Sequence, residues 1–139
     1  MLAACRGLVP VAARRIGRHA MPIPTLRMVR RAVECEIAYT VSRMRVLQQL
    51  PGNPVGITIR PLEGGAVALM ARHLPVANFN SVVGLRAGHE QEIEALVGWY
   101  RAEGVKARFE IVPGYYDREL GRELARLGYY QSGFHTSLV

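Results

Sequence analysis

A mixed α/β fold follows from three features of the sequence. From about Val29 to Leu50 there is no glycine or proline, and apolar residues recur every three or four positions. Two short runs with strand-like patterning then flank a Glu63-Gly64-Gly65 turn, and the rest of the chain interleaves strand-like and helix-like segments. The 139 residues fit one domain, and with 50% hydrophobic residues the chain can bury a core without disulfides or a structural metal.

The elements follow in order. Val33, Ile37, Val41 and Met44 draw one stripe along a long first helix. Leu50-Pro51-Gly52-Asn53-Pro54 stops it, because proline has no amide hydrogen to continue the ladder. In Gly56-Ile57-Thr58-Ile59-Arg60 the isoleucines share a face opposite Thr58 and Arg60, as a half-buried strand requires. Ala66 to Ala71 reads as the more buried returning strand of a hairpin. Asn80-Ser81-Val82-Val83-Gly84-Leu85 is a third apolar run.

A helix from about His89 to Glu103 follows, with Ile93, Leu96, Val97 and Tyr100 on one face and Gly104 as its cap. Glu90, Glu92 and Glu94 load its first half, where the helix dipole favours acids. Arg108 to Val112 alternates as a strand, and Pro113-Gly114 ends it. Asp117 caps a helix whose Leu120, Leu124 and Leu127 face inward and whose end is set by Gly128, and Tyr129 to Val139 reads as a final strand. The expected architecture is a central mixed sheet of about five to six strands with a long N-terminal helix and two later helices.

The net charge of +7 is concentrated at one end. Residues 1–31 hold seven arginines and no acid, leaving 11 basic and 11 acidic side chains in residues 32–139. Mixed charge of that kind, as in Arg118-Glu119 and Arg122-Glu123, marks a solvated face, so no nucleic-acid partner is expected. Residues 1–28 read as a basic, disordered leader, or an extension upstream of a start at Met21 or Met28, with residues 29–139 as the domain. An Arg-rich, acid-free leader also has the composition of an organelle transit peptide. No apolar run reaches the roughly 20 residues of a membrane span, and the expected location is cytoplasmic. Cys5 and Cys35 are the only cysteines, and none of the four histidines pairs at metal-ligand spacing, so no metal is expected. Cys35, in mid-helix, is expected to be buried or half-buried. His89 reads as a surface histidine at a helix start, with a role as base or phosphate contact as the alternative.

The late part of the chain resembles a known family. A strand, a helix, a strand and a short helix ending in Leu120-x3-Leu124-x2-Leu127-Gly128-Tyr129 are similar to the GNAT-type N-acetyltransferase superfamily over roughly residues 30–139. Ala77-Asn78-Phe79-Asn80-Ser81-Val82-Val83-Gly84-Leu85 resembles a pattern in the amino-terminal lobe of some two-lobed acetyltransferase-like proteins, in which a second, acetyl-CoA-binding lobe follows. The resemblance implies a GNAT-like fold, an acyltransferase activity, acetyl-CoA as cofactor, an amine acceptor, and a second lobe or a second copy as partner. It places cofactor binding on Val83, Gly84, Leu85, Arg86, Ala87 and Gly88, with backbone N–H groups near Val83 to Leu85 polarising the thioester carbonyl. Gly84 and Gly88 are spaced more widely than the superfamily's pyrophosphate loop, and three glutamates follow them. Leu124 stands where the family often has a tyrosine acid, and Asp117 where it commonly has asparagine. The expected reading is therefore a lobe without a working pyrophosphate loop of its own, the alternative being a non-catalytic interaction or dimerisation module of the same fold; catalytic residues are unassigned.

Six further residues are substrate or interface candidates. Asn78 and Asn80 bracket Phe79 before the third strand, placed to orient a substrate amide or to satisfy loop backbone. Tyr115-Tyr116 and Tyr129-Tyr130 flank the short helix, and an aromatic concentration of this kind marks a contact surface, with at least one member of each pair expected in the core.

Overall fold

The computed structural model of the chain describes residues 24–74 and 76–134. Helix α1 (Leu26–Gln48) leads into the hairpin β1 (Ile57–Pro61) and β2 (Val67–Ala71), followed by β3 (Ser81–Val83), α2 (Glu90–Ala102), β4 (Arg108–Phe109) and α3 (Arg118–Arg126). The strands form one sheet in the order β1-β2-β3-β4. Neighbours are antiparallel up to β3, while β3 and β4 are parallel, with α2 as the crossover that a parallel pair requires.

The sheet lies between two helical layers. All five residues of β2 are buried, and their alternation feeds two cores. Ala68 and Met70 pack with Ile93 and Leu96 of α2 and Leu120 and Leu124 of α3. Val67, Leu69 and Ala71 pack on the other face with Met44 of α1 and Ile57 of β1. Arg60, on the α2 side of β1, sets its guanidinium 5.8 Å from the Trp99 ring centroid.

Between β2 and β3 the backbone ladder stops at Ala68–Val82, and side chains continue it. The Tyr100 hydroxyl donates to the carbonyl of Leu69 at 2.6 Å and lies 3.1 Å from that of Ser81. Asn80 accepts from the Ala71 N–H at 2.8 Å. These contacts satisfy backbone groups of β2 that would otherwise be buried without partners.

Helix ends follow capping chemistry. Asp117 accepts from the Leu120 N–H at 3.0 Å at the start of α3, and Gly104 and Gly128, at φ +69° and +83°, end α2 and α3 in the left-handed conformation. Thr25 accepts from the Met28 N–H at 3.3 Å. Helix α1 therefore begins at Leu26, and the expected boundary at residue 28 falls inside it. The rest of the expected leader, residues 1–23, lies outside the described residues, as does Cys5.

Three further expectations are corrected. Among the described residues the sheet has four strands rather than five to six. β4 pairs over two residues only, and Tyr129 to Phe134 forms no strand; residues 135–139 of the expected final strand lie outside the described part. Tyr129 instead packs edge-on against Phe109 with ring centroids 4.8 Å apart. Cys35 is exposed, because two residues advance about 200° around a helix and carry it to the face opposite Val33.

Candidate functional site

A concavity lies at the end of the sheet where β3 and β4 part. Their register covers only Ser81–Arg108 and Val82–Phe109, after which the chain leaves β3 through Gly84 toward α2 and leaves β4 toward α3. Ligands of open α/β sheets bind in the crevice outside the carboxyl ends of such strands, because the loops diverge there. Helix α1 begins at the same end. Leu26, Arg27 and Arg30 of α1, Arg86 and Ala87 after β3, and Gly114 and Tyr115 after β4 enclose about 480 Å³. A hollow of about 170 Å³ shares Arg30, Arg86 and Tyr115 and extends to Glu34, Gly64, Gly65 and Gly84.

Two glycines make this geometry possible. At Gly84, φ is +83°, and an added β-carbon would lie 2.7 Å from Ile37 Cδ1 and 3.3 Å from Ala66 Cα, so glycine lets α1 close on the sheet. At Gly64, φ is +67°, and the Arg86 guanidinium occupies the space of the missing side chain, its Cζ 2.6 Å from where a β-carbon would stand. His89 fastens the same corner. Its imidazole is 4% exposed, donates from Nε2 to the Glu63 carbonyl at 2.8 Å, and sets Nδ1 3.2 Å from the Arg86 N–H nitrogen and 2.9 Å from the Arg86 carbonyl. The surface position expected for His89 is thus corrected: a helix-start histidine is buried here because the hairpin turn folds over it.

The loop expected to bind cofactor divides into two parts. Val83 and Leu85 are buried, one in each core, and Gly84 lies under Ile37. Arg86, Ala87 and Gly88 face outward, but the Gly88 N–H donates to the Glu90 carboxylate at 2.9 Å, the His89 N–H to the Arg86 carbonyl, and the Arg86 N–H to His89. A pyrophosphate cradle needs those N–H groups free and an absence of competing anions. Those three N–H groups are engaged within the loop itself.

The remaining candidates are dispersed. Asn80, 5% exposed, uses its amide on the backbone, accepting from Ala71 and donating to the carbonyls of Leu74 and Val76. Asn78 accepts from Arg108 at 2.7 Å on the surface. Tyr115 is half-buried in the cleft, whereas Tyr116 is exposed; Tyr129 is half-buried and Tyr130 is 84% exposed. Burial raises the Tyr129 phenol above its ordinary pKa, partly offset by Arg101. Leu124 is buried in the core and Asp117 is occupied as the α3 cap, so neither faces the cleft as an acid. Among the described residues no cluster of histidine, cysteine and carboxylates is placed to hold a metal, and no helix is long and apolar enough to cross a membrane.

Sequence reasoning missed Arg27, Arg30, Gly64 and Gly65 as cleft residues. The signal that was present is Thr25 before a helical run that opens with Arg27, Arg30 and Arg31 and no acid. In comparisons of the chain with protein families, curated proteins and solved structures, none matched.

Proposed function

We propose that the chain is a GNAT-type N-acetyltransferase-related lobe without a pyrophosphate loop of its own, which serves the acceptor side or docks against a second lobe. The observation that carries this reading is the run of antiparallel β1-β2-β3 followed, through α2, by a β4 that pairs in parallel for two residues and then parts from β3. That parting leaves an opening at the sheet where an extended thioester arm would enter in an acyltransferase. The engaged N–H groups at Arg86 and Gly88 support the loss of the cradle.

Glu90→Ala tests the reading by freeing the Gly88 N–H and removing a carboxylate that repels phosphate. Calorimetric titration with acetyl-CoA should give little or no heat for the natural chain and at least about tenfold tighter binding for the variant. Unchanged affinity in the variant would reject the reading. So would tight binding by the natural chain with thiol release in the presence of amines.

The exposed Tyr130 and Phe134, at 84% and 89%, favour a second reading as a non-catalytic pairing module of the same fold. Sedimentation should then show a mass that rises with concentration and falls back to the monomer in Tyr130→Ser/Phe134→Ser; a monomer at all concentrations removes this reading.

A further inference from the structure

We propose that the cleft between α1 and the loops after β3 and β4 binds a small molecule bearing a doubly charged oxyanion, with Arg30 and Arg86 gripping the anion and Arg27 at the rim. This site shares Arg86 and Ala87 with the loop discussed above but uses arginine side chains rather than that loop's N–H groups, and it stands whether or not acetyl-CoA binds.

Three independent observations converge on it. The first is unpaired charge. Arg30 and Arg86 line both hollows and Arg27 lines the larger one, and none of the three is ion-paired to a side-chain carboxylate. All 11 acidic side chains lie in the described residues, so no Asp or Glu elsewhere in the chain is left to neutralise these arginines. Glu34 is the single acid among the lining residues. Three positive charges against one leave a surplus of two, which a dianion matches.

The second is the helix field. Helix α1 starts at the cleft and its first turn lines it, so its positive end faces the hollow. Glu90 and Glu92 offset the field of α2 and Glu119 that of α3, whereas the first turn of α1 has no acid. Placing Arg27 and Arg30 on that positive end is unfavourable for the helix alone and favourable once an anion sits between them.

The third is the seat of Arg86. Its guanidinium lies on Gly64, and its backbone is held by His89. A side chain fixed in this way loses less freedom on binding, and the planar fork suits two oxygens of a phosphoryl or carboxyl group. Leu26, Ala87 and Tyr115 supply an apolar wall beside the charged part, so the ligand carries an apolar or aromatic body.

Calorimetric titration at constant ionic strength with phenyl phosphate, inorganic phosphate and succinate tests the proposal. Saturable binding of phenyl phosphate, tighter than inorganic phosphate, is expected; succinate binding as well as phosphate would assign the anion to paired carboxylates, and succinate failing would assign it to a phosphoryl group. Arg30→Gln, an exposed helix position, should weaken binding by about tenfold or more, as should Arg86→Gln, while Arg122→Gln on α3 should not. Gly64→Ala displaces the Arg86 guanidinium without removing charge and should weaken binding with the circular dichroism unchanged. No saturable heat from any of the three ligands up to roughly 20 mM, or equal affinity in Arg30→Gln and the natural chain, would overturn the proposal.

Discussion

Tyr100 shows how one side chain can hold a sheet together. Its ring belongs to the α2 core, and its hydroxyl supplies the donor that the backbone lacks where β3 bends away from β2. Burial raises its phenol well above the ordinary value of 10.0, the hydrogen bond to Leu69 opposing and the neighbouring Tyr129 adding to the rise. In the unfolded chain the phenol ionises near pH 10, while the folded protein keeps the proton. The native state then binds more protons, so stability is full below about pH 10 and declines above it. Tyr100→Phe should lower stability at neutral pH by about 1–3 kcal/mol, through the carbonyls left without a donor, and should flatten the alkaline decline. Urea denaturation at pH 7 and pH 11 measures both. The pattern of apolar spacing gave Tyr100 its place on the inner face, but period alone carries no information about which carbonyls a hydroxyl will meet. His89 and Cys35 are legible to the same limited degree: each lies in or beside the helix expected, and its exposure depends on what packs against that helix.

At the scale of elements, local chemistry was readable and pairing was not. The apolar stripe of α1, the hairpin about Glu63-Gly64-Gly65, the Asp117 cap and the glycines after α2 and α3 are all written in short-range spacing. β4 was read too long, and Tyr129 to Phe134 was misread as strand, because alternation describes which side of a segment is buried, and a half-buried extended segment shows it without any ladder partner. Gly84 joins the two kinds of information. It was expected in the third apolar run and the cofactor loop, and it is the surface on which α1 rests. Gly84→Ala should cost roughly 1–2 kcal/mol for the left-handed backbone alone, and more through Ile37. In Ile37→Ala/Gly84→Ala the two losses should sum to less than the separate effects, because the smaller neighbour makes room. Thermal melts of the two single variants and the double variant check this; strict additivity would mean that the α1 contact does not matter.

Across the whole molecule, the cleft was half legible. Arg86 and Gly88 were singled out from the loop after β3, but Arg27 and Arg30 were not, since they sit about 55 residues earlier in sequence and meet the loop only when α1 folds back over the sheet. Charge counting grouped them with the acid-free residues 1–31, apart from the balanced remainder of the chain. Three-dimensional proximity brings two of those arginines together with Arg86 at one cleft.

The four strands stand side by side in the order in which they occur along the chain. No strand has to be inserted between two that are already joined, so the sheet can grow at a single margin as each segment leaves the ribosome. Contacts built this way close short loops, and short loops close fast. The return of α1, which must wait for β1 and β2 to give it a floor, asks the polypeptide to remember something made earlier.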